Sequence, residues 1–242
     1  FIYDTSRDYD GGAWRYRTQP TSWYNEPLGT AMRGNRREFP SIAILVTHSG
    51  TSGAAGISKG FSIYDGDDPE FPLWLRFPVE SYTVTSNWGN SMPGLGVGNA
   101  FSFTPGVIHA LNGQIFVGNS ENTSAVGWMA NLISEKLIEA NRYGTATNQF
   151  YYRASNFSSR LRPMTADNYA AGNQYYSGDN LTSMSKSGIF GKPVSGRCRD
   201  VDMFVENYTT LDDETGLPFP TIAMGLEGGL SILRGHDRAV DD

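Results

Sequence analysis

Three times along the chain an apolar run is followed, across a turn, by a second short run that begins at or just after glycine. Ser41-Ile42-Ala43-Ile44-Leu45 leads to Phe61-Ser62-Ile63-Tyr64, and Val107-Ile108-His109-Ala110-Leu111 leads to Gln114-Ile115-Phe116-Val117. Thr221-Ile222-Ala223-Met224 leads to Leu230-Ser231-Ile232-Leu233. A lone hairpin cannot bury its own apolar face, so a chain built this way must stack one unit on the next. Asn112-Gly113 is the strongest of the turns, because both central residues of a two-residue hairpin need positive φ. Gly228-Gly229 serves in the third copy, and a Gly/Ser/Ala-rich surface excursion from Ser49 to Gly60 replaces the turn in the first.

A shorter echo overlaps these. Ile2-Tyr3-Asp4 precedes Ala13-Trp14-Arg15-Tyr16-Arg17, and Ile63-Tyr64-Asp65 precedes Leu73-Trp74-Leu75-Arg76-Phe77. Both predict a strand, an Asp-containing turn and a strand centred on Trp and Arg. Elsewhere the period is two: Leu73, Leu75 and Phe77 alternate with Trp74 and Arg76, and Val201, Met203 and Val205 with Asp202, Phe204 and Glu206. The unbroken run Ile42 to Val46 predicts a strand covered on both faces. Val126 to Asn141 fits a strand running into a loop or short helix better than a helix of about four turns.

With 28 glycines, 13% aromatic and only 18% charged residues, the composition suits many short strands and not a helical bundle. The expected fold is all-β, made of repeated antiparallel β-meanders in a propeller-like arrangement, as one domain over 1–242. Within it, 141–196 reads as a long irregular insertion rich in Asn, Ser, Tyr and Gly. About three units can be counted, and closing a propeller takes four or more. The units are therefore an arc of a longer protein, consistent with the start at Phe1, or a small divergent ring.

The net charge of −6 argues against nucleic acid as the main partner. Arg33, Arg36 and Arg37 adjoin Glu38 and read as a solvated loop. Cys198 is the single cysteine, so neither an intrachain disulfide nor a Cys-based zinc site is open to it, and a quiet, partly buried thiol is expected. No apolar run reaches the ~18 residues of a membrane span, so none is expected.

Several segments together resemble a known family. They are Phe1-Ile2-Tyr3-Asp4-Thr5 with Asp10-Gly11-Gly12-Ala13-Trp14-Arg15, Thr21-Ser22-Trp23-Tyr24-Asn25-Glu26, and Arg37-Glu38-Phe39-Pro40. Ile63-Tyr64-Asp65-Gly66-Asp67-Asp68-Pro69 follows, then Thr215-Gly216-Leu217-Pro218 through Pro220-Thr221-Ile222-Ala223 to Gly228-Gly229-Leu230-Ser231-Ile232. The chain resembles the β-propeller-like tail and virion structural proteins of marine bacteriophages of the cyanophage type. The resemblance covers both ends and leaves out 141–196. It implies a virion protein of the tail, in a nozzle or fibre-like part of the extracellular particle. Such a protein acts as an assembly scaffold, partnered by its own copies and other virion proteins, with no enzyme activity, cofactor or catalytic residues. The alternatives are a receptor- or host-glycan-binding module of the tail and, second, a glycan-degrading hydrolase.

Tyr151, Tyr152, Tyr175 and Tyr176 are the binding candidates, since Tyr among Asn, Ser and Gly gives contact area at low entropy cost. No metal is expected; Asp65, Asp67 and Asp68, beside Glu70 and made rigid by Pro69 and Pro72, are the weak candidates for oxygen ligation. Asp4, Asp8 and Asp10 miss the calcium-loop spacing and read as Asx turns, and Asp212-Asp213-Glu214 as a hairpin cap. A glycosidase needs two carboxylates ~5–10 Å apart across a sugar, whereas these clusters all fall in turns. Gly94-Leu95-Gly96-Val97-Gly98 lacks the dinucleotide-binding spacing. His48, His109 and His236 lie far apart, and His109 reads as a hydrogen-bonded core or interface histidine. Trp14 and Trp74 are expected to pack between sheets.

Overall fold

The computed structural model describes residues 1–21, 23–31, 33–49, 59–78, 104–121, 125–143, 149–156, 183–184, 197–207 and 210–234. These form three antiparallel sheets, each a meander in chain order. Sheet 1 holds β1 (Ile2–Asp4), β2 (Ile42–Ser49), β3 (Lys59–Asp65) and β4 (Leu73–Pro78). Sheet 2 runs from β5 (Pro105–Leu111) through β6 (Gln114–Asn119), β7 (Ala125–Asn131), β8 (Lys136–Tyr143) and β9 (Gln149–Asn156) to β10 (Ser183–Met184). Sheet 3 holds β11 (Cys198–Phe204), β12 (Thr221–Leu226) and β13 (Gly229–Leu233). The three hairpins of the sequence fall one to a sheet, as β2–β3, β5–β6 and β12–β13. The described residues do not close into a barrel or a propeller ring.

Sheet 2 lies in the middle of the stack. Its Ile115, Val117, Trp128 and Ala130 share one core with Leu45, Phe61, Ile63 and Phe77 of sheet 1. The alternate residues Phe116 and Met129, with Val126 at an irregularity in β7, share a second with Val201, Met203, Ile222 and Met224 of sheet 3. Every residue of β6 is buried, as period-two alternation requires when both faces of a strand are covered. Each large apolar side chain sunk this way contributes about 1.5–3 kcal/mol. Glycine makes room both beside a neighbouring strand and between sheets. A Cβ on Gly127 would lie 2.3 Å from Phe116 Cζ, and one on Gly118 would lie 2.8 Å from Cys198 Sγ.

The segment between β1 and β2 plugs one end of the first core. Trp23 and Phe39 meet Trp74 edge-on, with ring centres 5.1 and 4.9 Å apart, and Trp23 Nε1 donates to the Leu132 carbonyl at 2.7 Å.

Several sequence expectations are corrected here. Ala13–Arg17 is a 3-10 helix and not a strand. Gly12, at φ 81°, turns the chain, and Trp14 Nε1 is drawn inward to Asp8 at 2.6 Å. The two Ile-Tyr-Asp segments are not successive units. They flank β2 in the same sheet, one residue out of step, with Ile44 facing Ile2 and Tyr64, and Ala43 facing Tyr3 and Asp65. One step exchanges the faces of a strand, so Tyr3 and Ile63 are buried while Ile2 is 67% exposed. The run Ile42 to Val46 is covered on one face only, by burial of Ala43 and Leu45. Trp74 is not on a wetter side: its indole donates to Glu38 O, and the Arg33 guanidinium lies 4.3 Å above its ring. Arg33 is accordingly buried rather than solvated, and burial pushes it down to about 10. Val126 to Asn141 is the β7–β8 hairpin, turned at Glu135 with φ 56°. Within 141–196, β9 and β10 extend sheet 2, and most of the remainder lies outside the described residues.

Candidate functional site

The first strands of the three sheets come together. β5 touches β1, β2 and β11, and an open cleft of about 420 Å³ lies where they meet, lined among others by Phe1, Thr47, Ile108 and Asp200. Three strand edges turn towards it, and hydrogen-bond parity shows which groups they offer. Phe1 and Leu45 exchange both main-chain bonds, at 2.8 and 3.0 Å. Two residues on, Thr47 therefore directs its own N–H and carbonyl to that edge, beyond the end of β1. Its hydroxyl donates to Gly106 O at 2.8 Å, tying β2 to β5.

The β11 edge is blunted by its own side chains. Asp200 Oδ1 accepts from Val201 N, and Asp202 Oδ1 from Met203 N, each at 2.9 Å. Carboxylates placed so occupy the donors that another strand would need. Asp202 also lies 3.1 Å from His109 Nε2, and the His109 ring sits 4.2 Å from that of Phe1. Burial holds His109 below its ordinary value, only partly opposed by Asp202. The imidazole thus links all three sheets, as an interface histidine.

At the other end of β5, a second junction joins the same sheets. Asn112 and Gly113 have φ of 53° and 69°, the two left-handed residues of the turn expected there. Asp8 Oδ1 accepts from Asn112 N at 2.7 Å, while Asp8 Oδ2 accepts from Tyr3 Oη at 2.5 Å and Trp14 Nε1 at 2.6 Å. Asn112 Nδ2 donates to Pro218 O at 3.0 Å, and Gly113 N donates to Tyr3 Oη at 2.9 Å. Burial raises the Asp8 carboxyl despite these donors, and burial with the Asp8 charge raises the Tyr3 phenol well above its usual value. The sequence marks Asn112 as a turn residue; its bonds to partners about a hundred residues away have no local signal.

The remaining candidates are structural in their contacts. Arg36 Nη1 binds both Asp65 oxygens at 2.9 Å and Asp67 at 2.7 Å, while Ser41 and Ile42 donate to Asp67. Burial acts to raise the Asp67 carboxyl, but these donors outweigh it and hold it well below the usual carboxylate range. Asp68 accepts from Glu70 N. Among the described residues no three His, Cys, Asp or Glu side chains gather to hold a metal ion. Asp4 and Asp10 accept from Ser6 N and Gly12 N as Asx turns, and Asp212 accepts from Glu214 N. His48 Nε2 lies 2.8 Å from Ser62 Oγ, the spacing of a nucleophile and its base. Ser62, however, is fully buried and also accepts from Arg76 Nε, and burial with the Arg76 charge lowers His48. Trp14 and Trp74 are both fully buried in the first core.

Tyr151 and Tyr152 occupy successive positions of β9, opposite Asn141 and Met184. Tyr175, Tyr176, His236 and the Gly94–Gly98 run lie outside the described residues. No described helix is long and apolar enough to cross a membrane. No family model, curated protein or solved structure matches the chain.

Proposed function

We propose that the chain is an arc of a propeller-like array of β-sheets and serves as a structural component of a bacteriophage virion. In this reading it is a scaffold in the tail, as a nozzle or fibre-like part, held to its own copies and to other virion proteins. The convergence of β1, β5 and β11 on one cleft carries the architectural half. Consecutive meanders stacked face to face, with their first strands turned to a common cleft, are how propeller blades surround an axis. The groups at that cleft are strand edges, a hydroxyl and carboxylates occupied by main-chain donors, which suits assembly better than turnover. The phage half rests on the sequence resemblance at both ends of the chain. Mass spectrometry of gradient-purified particles, with immunolabelling of the tail, tests it. Detection at stoichiometric copy number is expected; absence from intact particles overturns the virion role.

A further inference from the structure

The outer strand of sheet 3 presents an open edge. Glu227 N donates to Arg197 O at 3.1 Å, one step before Cys198 faces Leu226. Successive residues of a strand aim their main-chain groups to alternate sides. Leu226, Met224 and Ile222 therefore bond towards β13, where they meet Gly229, Ser231 and Leu233. Leu230 and Ile232, lying between these, direct their own N–H and carbonyl groups outward. No described residue bonds those groups, and the two side chains are 68% and 42% exposed.

Two other edges of the molecule are protected. Along the outer strand of sheet 1, Gly34 N donates to Trp74 O at 3.0 Å and Arg33 bridges to Leu75. On β11, Asp200 and Asp202 occupy the donors of their own strand. β13 carries none of the devices that blunt an edge. Gly229-Leu230-Ser231-Ile232-Leu233 holds no charge and no proline, and it pairs with β12 without a register shift.

An edge left this way takes up another extended strand. Its own pattern says which one. Laid antiparallel across a twofold axis at Ser231, Leu230 of one copy faces Ile232 of the other, and Ile232 faces Leu230. These are the residues whose main-chain groups are free, so each such pair exchanges both bonds. Apolar side chains then meet on the open face and Ser231 meets Ser231 on the other. A slip by one pleat in either direction sets Ile232 against Gly228 or Leu230 against the exposed Arg234, so one register is preferred.

We propose that two copies of this chain join β13 to β13 as one continuous antiparallel sheet. The pairing rests on the reading above only in taking the chain's own copies as partner. Both copies use the same surface, so the contact closes on itself and leaves neither β13 edge free.

Sedimentation equilibrium of the whole chain, with hydrogen exchange read amide by amide, tests the pairing. A species of twice the chain mass is expected. In it the Leu230 and Ile232 amides are protected, and they lose protection on dilution, whereas those of Ser231 and Leu233 stay protected throughout. Ile232→Pro removes one outward N–H and spares the inward bonds, and Leu230→Lys places a charge on the edge. Each should raise the dimer Kd by about tenfold or more while the Ser231 and Leu233 amides stay protected. A monomer at every concentration overturns the pairing, as does a dimer whose Leu230 and Ile232 amides exchange freely or one indifferent to both substitutions. Detection in particles is separate: a monomer found in virions removes only the pairing, and a dimer absent from them removes only the virion role.

Discussion

Removing the Asp8 carboxylate should cost more than any other single change at the sheet junctions. Its two oxygens hold the Tyr3 hydroxyl, the Trp14 indole and the Asn112 amide at 2.5, 2.6 and 2.7 Å. Bonds to a charged acceptor are worth roughly 1.5–3 kcal/mol each, and every buried donor left without a partner costs about 1–3 kcal/mol. The three share one acceptor, so their effects do not add, and Tyr3 keeps its bond from Gly113. Asp8→Ala is therefore expected to lose about 3–5 kcal/mol at neutral pH. Urea unfolding followed by tryptophan fluorescence reads this as a lower midpoint at unchanged m-value. pH provides a second readout. Burial raises the Asp8 carboxyl above its unfolded value of 3.8, so the proton-linked part of its stabilisation is full below that pH and is lost as pH rises through the folded value. The hydrogen bonds to Tyr3, Trp14 and Asn112 remain at neutral pH. Asp8→Asn, near in shape, removes that downward slope. A loss under about 1 kcal/mol for Asp8→Ala, or an unchanged slope in Asp8→Asn, would show that the junction does not hold the sheets.

Asp67 carries the opposite slope. Its folded value lies below 3.8, so its stabilisation is present above that pH and fades as pH falls. The stability gap between wild type and Asp67→Asn should narrow below pH 4 in acid titrations monitored by circular dichroism. Burial pushes the Cys198 thiol up to about 12, so a thiol reagent at pH 8 should label native protein negligibly and urea-unfolded protein fully. Rapid native labelling would contradict that burial. Gly127→Ala forces a methyl onto the Phe116 ring and should cost about 1–3 kcal/mol. Gly225→Ala, whose added Cβ would stand 3.4 Å from Asp200 Cβ, should stay within about 0.5 kcal/mol by the same urea assay.

What could be read from the sequence was what is written over short spans. Asn112-Gly113 specifies its turn because two adjacent residues suffice, and the alternation of Val201 and Met203 with Asp202 and Phe204 gives the faces of β11 correctly. Errors arose where a distant segment decided the outcome. Trp14 looks like a strand residue until Asp8 takes its indole, and Trp74 looks half-wet until Arg33 and Glu38 cover it. The matching Ile-Tyr-Asp triplets conceal a one-residue offset, which only pairing with β2 reveals. The cleft was not legible at all, because its walls come from Phe1, Thr47, Ile108 and Asp200. No local pattern announces that four such separate positions will meet.

The Asn112 turn also constrains how this chain can be made. The carboxylate of Asp8 waits for Asn112, and the Asn112 amide in turn waits for the Pro218 carbonyl. On a ribosome, the junction of Asp8, Asn112 and Pro218 cannot close until residue 218 has been synthesised. Until then the Asn112 side-chain amide lacks its acceptor, and long-range closure of this kind is slow. Nascent chains stalled before residue 218 should thus be far more open to protease in their first forty residues than chains stalled beyond it.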